Sequence, residues 1–516
     1  MPRPVIPPLG LIERMLMPIA PRLVLARSRA RVAAGMLRGY DGASKTRRTA
    51  GWKSARPAGP VTEVRAARAT LRDRSRDLAR NNSLGKRAID LTVAHQIGTG
   101  IRPRPNSGSK ALDRKIMALW DAWGAECDAA GQMDIYGLQA LAARTRAESG
   151  EVLVLQSAGE AAGIPLRLQL LEPDWLYDDV LQRAGAASLP AGVADLAEGI
   201  EFDAAGRRVA YRLWERNPNE DGAFGSLRHG FRRVPAADLI HLYRIDRPGQ
   251  LRGVPDIASA IMRMRDLDDY HDAALMLAKV QSVLGVFITQ AGGPAGGPVG
   301  QESADPDGER LDMLSSGMIG YLQPGEDVKF LTPDGDGPFT AYTRTFLHLI
   351  ALAFGLTYHQ LTGDLSEANY SSLRAGSLDF RRLTEQAQWL MLIPRLCQPI
   401  WRAFLAAAVL AGKLPAAAQD CPVKWTPPRF DLVDPGRDTA ATVAQIRAGL
   451  VTLPEAIAEM GYDPAEQIEE IAQSNARLDD AKVVLDSDPR RITATGTPND
   501  AKQLAAIELG KPAPAA

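Results

Sequence analysis

Two helical stretches joined by a segment that cannot be regular constrain this chain most. Pro255 is the residue type favoured in a first helical turn, and the pattern after it stays helical to about residue 283. At 1.5 Å per residue this predicts a rod roughly 40 Å long. A second stretch, 339–354, places Tyr342, Phe346, Ile350 and Ala353 on one stripe. Between them stands Gly292-Gly293-Pro294-Ala295-Gly296-Gly297-Pro298, with candidate strands at 284–289, 318–322 and 328–331 around it. About 100 residues in so elongated a shape leave apolar faces open. Identical copies meeting head to tail in a closed ring would cover them.

The remainder is ordinary folded protein. With 516 residues the chain exceeds one domain, and its 45% hydrophobic and 24% charged residues allow a large core. Net charge is zero, so any attraction to a polyanion is local. Residues 22–87 hold eighteen Lys and Arg against four Asp and Glu. Such a run is either a solvated arm or one that touches phosphates or an acidic partner. The cysteines, Cys127, Cys397 and Cys421, are odd in number and far apart, which argues against a disulfide framework or a structural zinc site. The apolar stretch 9–26 is broken by Glu13, Arg14, Pro18 and Pro21. It does not read as a membrane span or a secretory leader, and the chain is expected to be soluble with no membrane partner.

Residues 1–60 read as a basic, loosely ordered arm. A helix follows with Val64, Leu71 and Leu78 on one face and arginines on the other. Asn81 and Asn82 break it, and Ser83 is positioned to cap the next helix, whose stripe is Leu84, Ala88, Leu91 and His95. Helices are expected over 109–127 and 133–149. After Gly150 the period becomes two. Val152 and Val154 alternate with Leu153 and Leu155, as in a strand buried on both faces, and Leu166, Leu168 and Leu170 mark a half-buried strand. Strands at 199–203, 207–214 and 239–243 complete an α+β region with a largely antiparallel sheet. A loop is expected over 357–369, then a helix over 371–413 kinked by Pro394 and Pro399. A strand at 423–425 and two or three helices follow, one capped by Thr452 and ended by Gly461.

Enzyme signatures are absent from this reading. Gly42-Ala43-Ser44-Lys45-Thr46 lacks phosphate-loop spacing, Gly98-Thr99-Gly100 lacks a third glycine, and neither GxSxG nor HExxH occurs. The six histidines, His95, His229, His241, His271, His348 and His359, stand at no metal-ligand spacing. No cofactor is expected. Asp266, Asp268, Asp269 and Asp272 crowd the first long helix one turn apart, where like charges repel. They are a solvated face partly neutralised by Arg263 and Arg265, an acidic wall along which DNA would slide, or the carboxylates of a metal-dependent DNA-processing enzyme. Glu172, Asp174, Asp178 and Asp179 around Trp175 read as a surface turn.

The stretch Asn369-Tyr370-Ser371-Ser372-Leu373-Arg374-Ala375-Gly376, led by residues Phe354-Gly355-Leu356-Thr357-Tyr358-His359-Gln360-Leu361-Thr362-Gly363-Asp364-Leu365-Ser366, closely resembles the lambda-type family of phage portal proteins. Three further stretches match in the same order: Arg76-Asp77-Leu78-Ala79-Arg80-Asn81-Asn82 with Ile97-Gly98-Thr99-Gly100-Ile101, Ser149-Gly150-Glu151-Val152, and Leu171-Glu172-Pro173-Asp174. The resemblance covers roughly 40–480. It implies a mostly helical α+β subunit of a homododecameric head-tail connector ring at one capsid vertex, without catalytic residues or metal. Residues 61–254 would be the wing, 255–283 the first stem helix, 284–336 a small β-containing clip and 337–356 the second stem helix. A tunnel loop would span 357–370, a kinked helix returning to the wing 371–435, wing or crown helices 436–486 and a flexible tail 487–516.

The implied partners are double-stranded DNA without sequence preference, the terminase large subunit, the major capsid or scaffold protein, and head-tail completion proteins. The implied location is the virion, after assembly in the host cytoplasm. DNA-channel candidates are His359, Gln360, Ser366, Asn369, Tyr370 and Arg374. For Tyr370, Ser371 and Arg374 a helix cap and a local salt link is the competing explanation. A basic-armed DNA-binding monomer or dimer is a third possibility, in which residues 1–60 would carry all DNA binding.

Overall fold

The structure, a computed structural model, describes residues 57–177, 190–220, 230–282, 287–289, 320–322, 339–366, 368–430, 434–462, 464–483, 485, 488 and 490. Most of the expected arm and tail, the Gly/Pro segment and the candidate strand at 328–331 lie outside these residues. The chain divides into a unit up to Glu63 and a unit from Val64 onward. Of the first, the described part is the approach to helix α1 (Pro60–Asn81), with the Glu63 amide donating to Gly59 O at 3.2 Å.

The second unit is mostly helical α+β. Helices α2 (Ser83–Gln96), α3 (Lys110–Glu126) and α4 (Ile135–Ser149) precede the sheets. Strands β2 (Glu151–Ser157), β3 (Arg167–Leu171) and β8 (Leu239–Tyr243) form an antiparallel sheet with β2 central. A second antiparallel sheet runs β4 (Asp195–Ala197), β5 (Ile200–Phe202), β6 (Arg208–Trp214), β7 (Phe231–Pro235). The alternation in β2 sorts its side chains as expected. Val152 and Val154 enter a core with α3 and α4, while Leu153 and Leu155 enter another with β5 and β6.

The larger core is aromatic. Trp120, Trp123, Trp401 and Phe404 are all under 2% exposed, and the Trp120 ring lies 5.1–5.2 Å from the other three. The Trp123 indole donates to Leu166 O at 2.8 Å, so its buried N–H is satisfied.

Several elements differ from expectation for local reasons. Asn82, not Ser83, caps α2: its side chain accepts from the Gly85 amide at 2.9 Å. The long helix does not begin at Pro255. A 3-10 turn, Asp256–Ser259, comes first, and α5 (Ile261–Ser282) has 22 residues, about 33 Å. That turn is pinned because the Asp256 carboxylate accepts from Arg146 at 2.6 Å and Arg244 at 2.9 Å. The expected kink resolves into three parts: α8 (Tyr370–Ala387), a π-helical segment (Gln388–Cys397) holding Pro394, and α9 (Gln398–Leu410) with Pro399 in its first turn. Proline removes a backbone donor, and widening the hydrogen-bond ring accommodates that loss.

The strand expected at 423–425 is β11 (Val423–Thr426). It pairs with β1 (Arg102–Pro105), a Pro-containing strand that residue pattern hides. Strands β9 (Phe287–Thr289) and β10 (Gly320–Leu322) pair in parallel. At the C-terminal side lie α10 (Pro435–Arg447), α11 (Leu453–Glu459), capped by Thr452 as expected, and α12 (Pro464–Asp480).

Candidate functional site: paired helices, a capped turn and an arginine ladder

Helix α6 (Phe339–Phe354) runs antiparallel to α5. Tyr270 of α5 meets Phe339 and Tyr342 at 5.5 and 5.7 Å, and His271 Nε2 lies 3.2 Å from Thr343 Oγ1. At the other end, Ile261, Met264 and Leu267 share a buried cluster with Ile350, Ala351 and Phe380. The seam is therefore buried at its Ile261–Ile350 end, while apolar side chains elsewhere on both helices stay exposed. Met262, Leu275 and Met276 on α5 are 61%, 53% and 63% exposed, and Tyr342 and Leu352 on α6 are 54% and 73% exposed.

The acidic residues of α5 do not converge. Asp266, Asp269 and Asp272 are exposed, and Asp269 pairs with Arg265 at 2.8 Å. Asp268 is half-buried and accepts from the Asn82 side chain at 3.0 and 2.9 Å, so it buttresses the α2 cap. Among the described residues no group of three or more His, Cys, Asp or Glu is placed to hold a metal ion.

The segment after α6 is a doubly capped turn. Gly355 adopts φ 69°, a conformation glycine takes without strain. Thr357 and Gln360 form a capping box at the start of α7 (Tyr358–Thr362), and Gly363 ends it at φ 75°. The expected loop thus contains a helical turn. The side-chain oxygen of Gln360 accepts from the Thr357 amide at 2.9 Å. His359 Nδ1 bonds Asp364 O at 2.8 Å, and the Tyr358 hydroxyl donates to Asp364 at 3.1 Å. Ser366 is exposed, and its amide donates to Asp364 Oδ1 at 2.9 Å. Hydrogen bonds from Ser366 hold the Asp364 carboxyl below its usual range. The Tyr358 ring stacks on His348 at 4.6 Å, and the Arg344 guanidinium sits 5.4 Å over it.

Asn369 caps α8 through a box with Ser372, Tyr370 is its first residue, and Arg374 pairs with Asp438 of α10 at 3.0 Å. The six channel candidates thus fall in one turn-and-cap assembly. Gln360 and Asn369 have capping partners within it, whereas Arg374 reaches outside it to Asp438, and the cap is made by Asn369 and Ser372 rather than by Tyr370 or Ser371. Arg344 and His348 escaped sequence reading, because nothing in their spacing shows that both reach Tyr358.

A further ionic assembly corrects two expectations. Arginines of α1 that read as part of a free basic run are paired inside the fold. Arg65 and Arg68 both bind the Glu198 carboxylate. Arg72 and Arg76 bind Asp174 at 3.0 and 2.7 Å. Asp174, expected on a surface turn, is 8% exposed and also accepts from Asn219 at 2.7 Å. Asp178 and Asp179 lie outside the described residues. Burial alone would raise the Asp174 and Glu198 carboxyls, but the facing arginines outweigh it and hold both below their usual range.

The network continues inward. The Glu198 carbonyl accepts from Arg252 at 3.3 Å, and Arg252 pairs with the buried Glu151 at 2.6 Å. Glu151 also meets His241 Nε2 at 2.9 Å and accepts from the Gly253 amide. Arg208, a donor, lies 3.2 Å from His241 Nδ1, which assigns the ring proton to Nε2. Burial pushes the His241 imidazole down to about 4. Burial would raise the Glu151 carboxyl, but Arg252 and His241 drive it well below the usual range.

Comparison with known proteins identifies the family. The chain is 27% identical over 490 residues to a "Probable portal protein" of Halomonas phage phiHAP-1, covering 90% of this chain and 88% of the relative. It is 22% identical over 347 residues to "Portal protein B" of Escherichia phage lambda, covering 59% of this chain and 62% of that one. A solved chain from "Neck of empty GTA particle computed with C6 symmetry" aligns at 17% identity with a TM-score of 0.39, covering 81% of this chain and 99% of that chain. A family model described as "Phage portal protein, lambda family" matches residues 45–388, about two thirds of the sequence. The chain therefore belongs to the lambda family of phage portal proteins.

Proposed function

We propose that this chain assembles into the ring at the capsid vertex through which double-stranded DNA is packaged and later ejected. One observation carries the reading. The paired helices α5 and α6 keep exposed Met262, Leu275, Met276 and Leu352 at 53–73% of their surface, and such faces on a soluble protein mark contact surfaces. Copies related by rotation cover these faces without leaving a growing end.

On this reading residues 61–254 are the wing, α5 and α6 the stem and 284–336 the clip. The terminase large subunit docks on the clip during packaging, and head-tail completion proteins dock there afterwards. The major capsid or scaffold protein surrounds the wing, and rings assemble in the host cytoplasm before they become part of the virion. The chain performs no chemistry of its own. The turn 357–370, with half-buried His359 and exposed Ser366, faces the duplex and contacts backbone without reading bases. The exposed Asp266, Asp269 and Asp272 line a wall that does not hold phosphates.

Native mass measurement and negative-stain microscopy of the purified chain test this reading. Closed rings of about twelve copies are expected. A single copy under all assembly conditions overturns it.

A further inference from the structure

We propose that the first turns of α1, residues 64–72, form a binding face for the phosphates of duplex DNA that Glu198 and Asp174 keep masked. The inference goes beyond channel formation and stands whether or not rings form.

Arg65, Arg68, Arg72 and Arg76 follow one another at three- and four-residue steps, so they share one helix face. Arginine forks fit carboxylate and phosphate oxygens alike. In the fold that face is occupied by carboxylates: Glu198 takes Arg65 and Arg68, and Asp174 takes Arg72 and Arg76. Two guanidiniums converge on the single Glu198 carboxylate. Upstream, residues 22–56 carry ten Lys and Arg against one Asp, so an uncovered face would extend a basic run.

The grip on these turns is ionic. Leu71 and Leu78 are the first α1 residues to pack on a hydrophobic cluster, and no residue of 64–70 belongs to one among the described residues. Glu198 itself points to a dedicated role. It and Gly199 occupy the two-residue turn between β4 and β5 at φ 57° and 77°. Such turns favour Asn-Gly, and a glutamate there is strained. The strain is retained where the side chain is needed, and here its carboxylate closes over Arg65 and Arg68.

Glu198→Asn removes the clasp while suiting the turn, and Glu198→Gln removes the charge at constant size. Hydrogen exchange over 64–72 and anisotropy of a labelled duplex oligonucleotide between 50 and 200 mM NaCl are read on the full chain. Native mass in the same samples reads assembly separately. Either variant is expected to lose protection at 64–72 and bind duplex about tenfold more tightly at low salt. The salt dependence should steepen by about two to three released counterions. Adding Arg65→Gln, Arg68→Gln and Arg72→Gln should restore the weaker binding. The proposal is overturned if 64–72 stays protected in both variants. It is equally overturned if the turns are released without tighter binding, or if the gain survives loss of the three arginines.

Discussion

The aromatic core around Trp120 and the paired helices α5 and α6 solve the same problem in opposite ways. In the first, Trp120, Trp123, Trp401 and Phe404 from two distant stretches of chain are each under 2% exposed. In the second, the seam is closed by Met264, Leu267 and Ile350, yet Leu352 is 73% exposed and Met276 63%. One region buries its apolar surface within the chain. The other holds apolar surface in reserve, so substitution should unfold the first and leave the second folded but solitary.

The largest effect is expected at the core. Phe404→Ala should cost about 3–5 kcal/mol in denaturant unfolding, because the ring touches three tryptophans and the cavity cannot collapse. A cost under about 1 kcal/mol would show that the region is not the folding core. Next comes the ionic hub behind β2. Glu151→Leu removes the carboxylate that neutralises the buried Arg252 guanidinium and should cost about 3 kcal/mol. Retention of wild-type stability would mean that the guanidinium finds water.

A smaller, pH-dependent effect belongs to His241, whose folded value of about 4 lies below the ordinary 6.5. Between those values the unfolded chain takes up a proton that the folded chain refuses. Stability is therefore whole above about pH 6.5 and falls toward pH 4, by up to about 1.4 kcal/mol per pH unit. The depressed Glu151 carboxyl acts in the same direction at more acid pH, its contribution being lost as pH falls through its folded value. His241→Gln keeps a donor for Glu151 and an acceptor for Arg208, so the melting temperature should become flatter between pH 6.5 and 4. An unchanged slope would assign the acid sensitivity elsewhere.

The smallest change in stability is expected on the paired helices. Leu352→Ser should shift unfolding by no more than about 0.5 kcal/mol yet reduce assembled mass. A large loss of stability would erase the contrast between the two regions.

Much of this fold was legible in local pattern. The period-two run at Val152 to Leu155 and the cap at Thr452 describe neighbours in sequence, and the structure places them as expected; of the stripe Tyr342, Phe346, Ile350 and Ala353 the last three reach a buried cluster, while Tyr342 stays exposed. Other features were not legible. The strand Arg102–Pro105 pairs with residues 423–426, and prolines disguise it. The helical turn inside 357–369 depends on Thr357 and Gln360 closing a box only four residues long. The α1 arginines looked free because their carboxylates lie about 100 to 130 residues away.

The sequence by itself determined most of the longer helices and strands, the family and the presence of two helices that outrun their own core, because periodicity and motif are short-range properties. Only the tertiary structure decided which charges are spent. Asp268 supports the α2 cap, Arg374 holds α10, and Glu198 covers Arg65 and Arg68. A charge is neutralised by whatever the folded chain brings within a few ångströms, and that distance is not written in the order of residues.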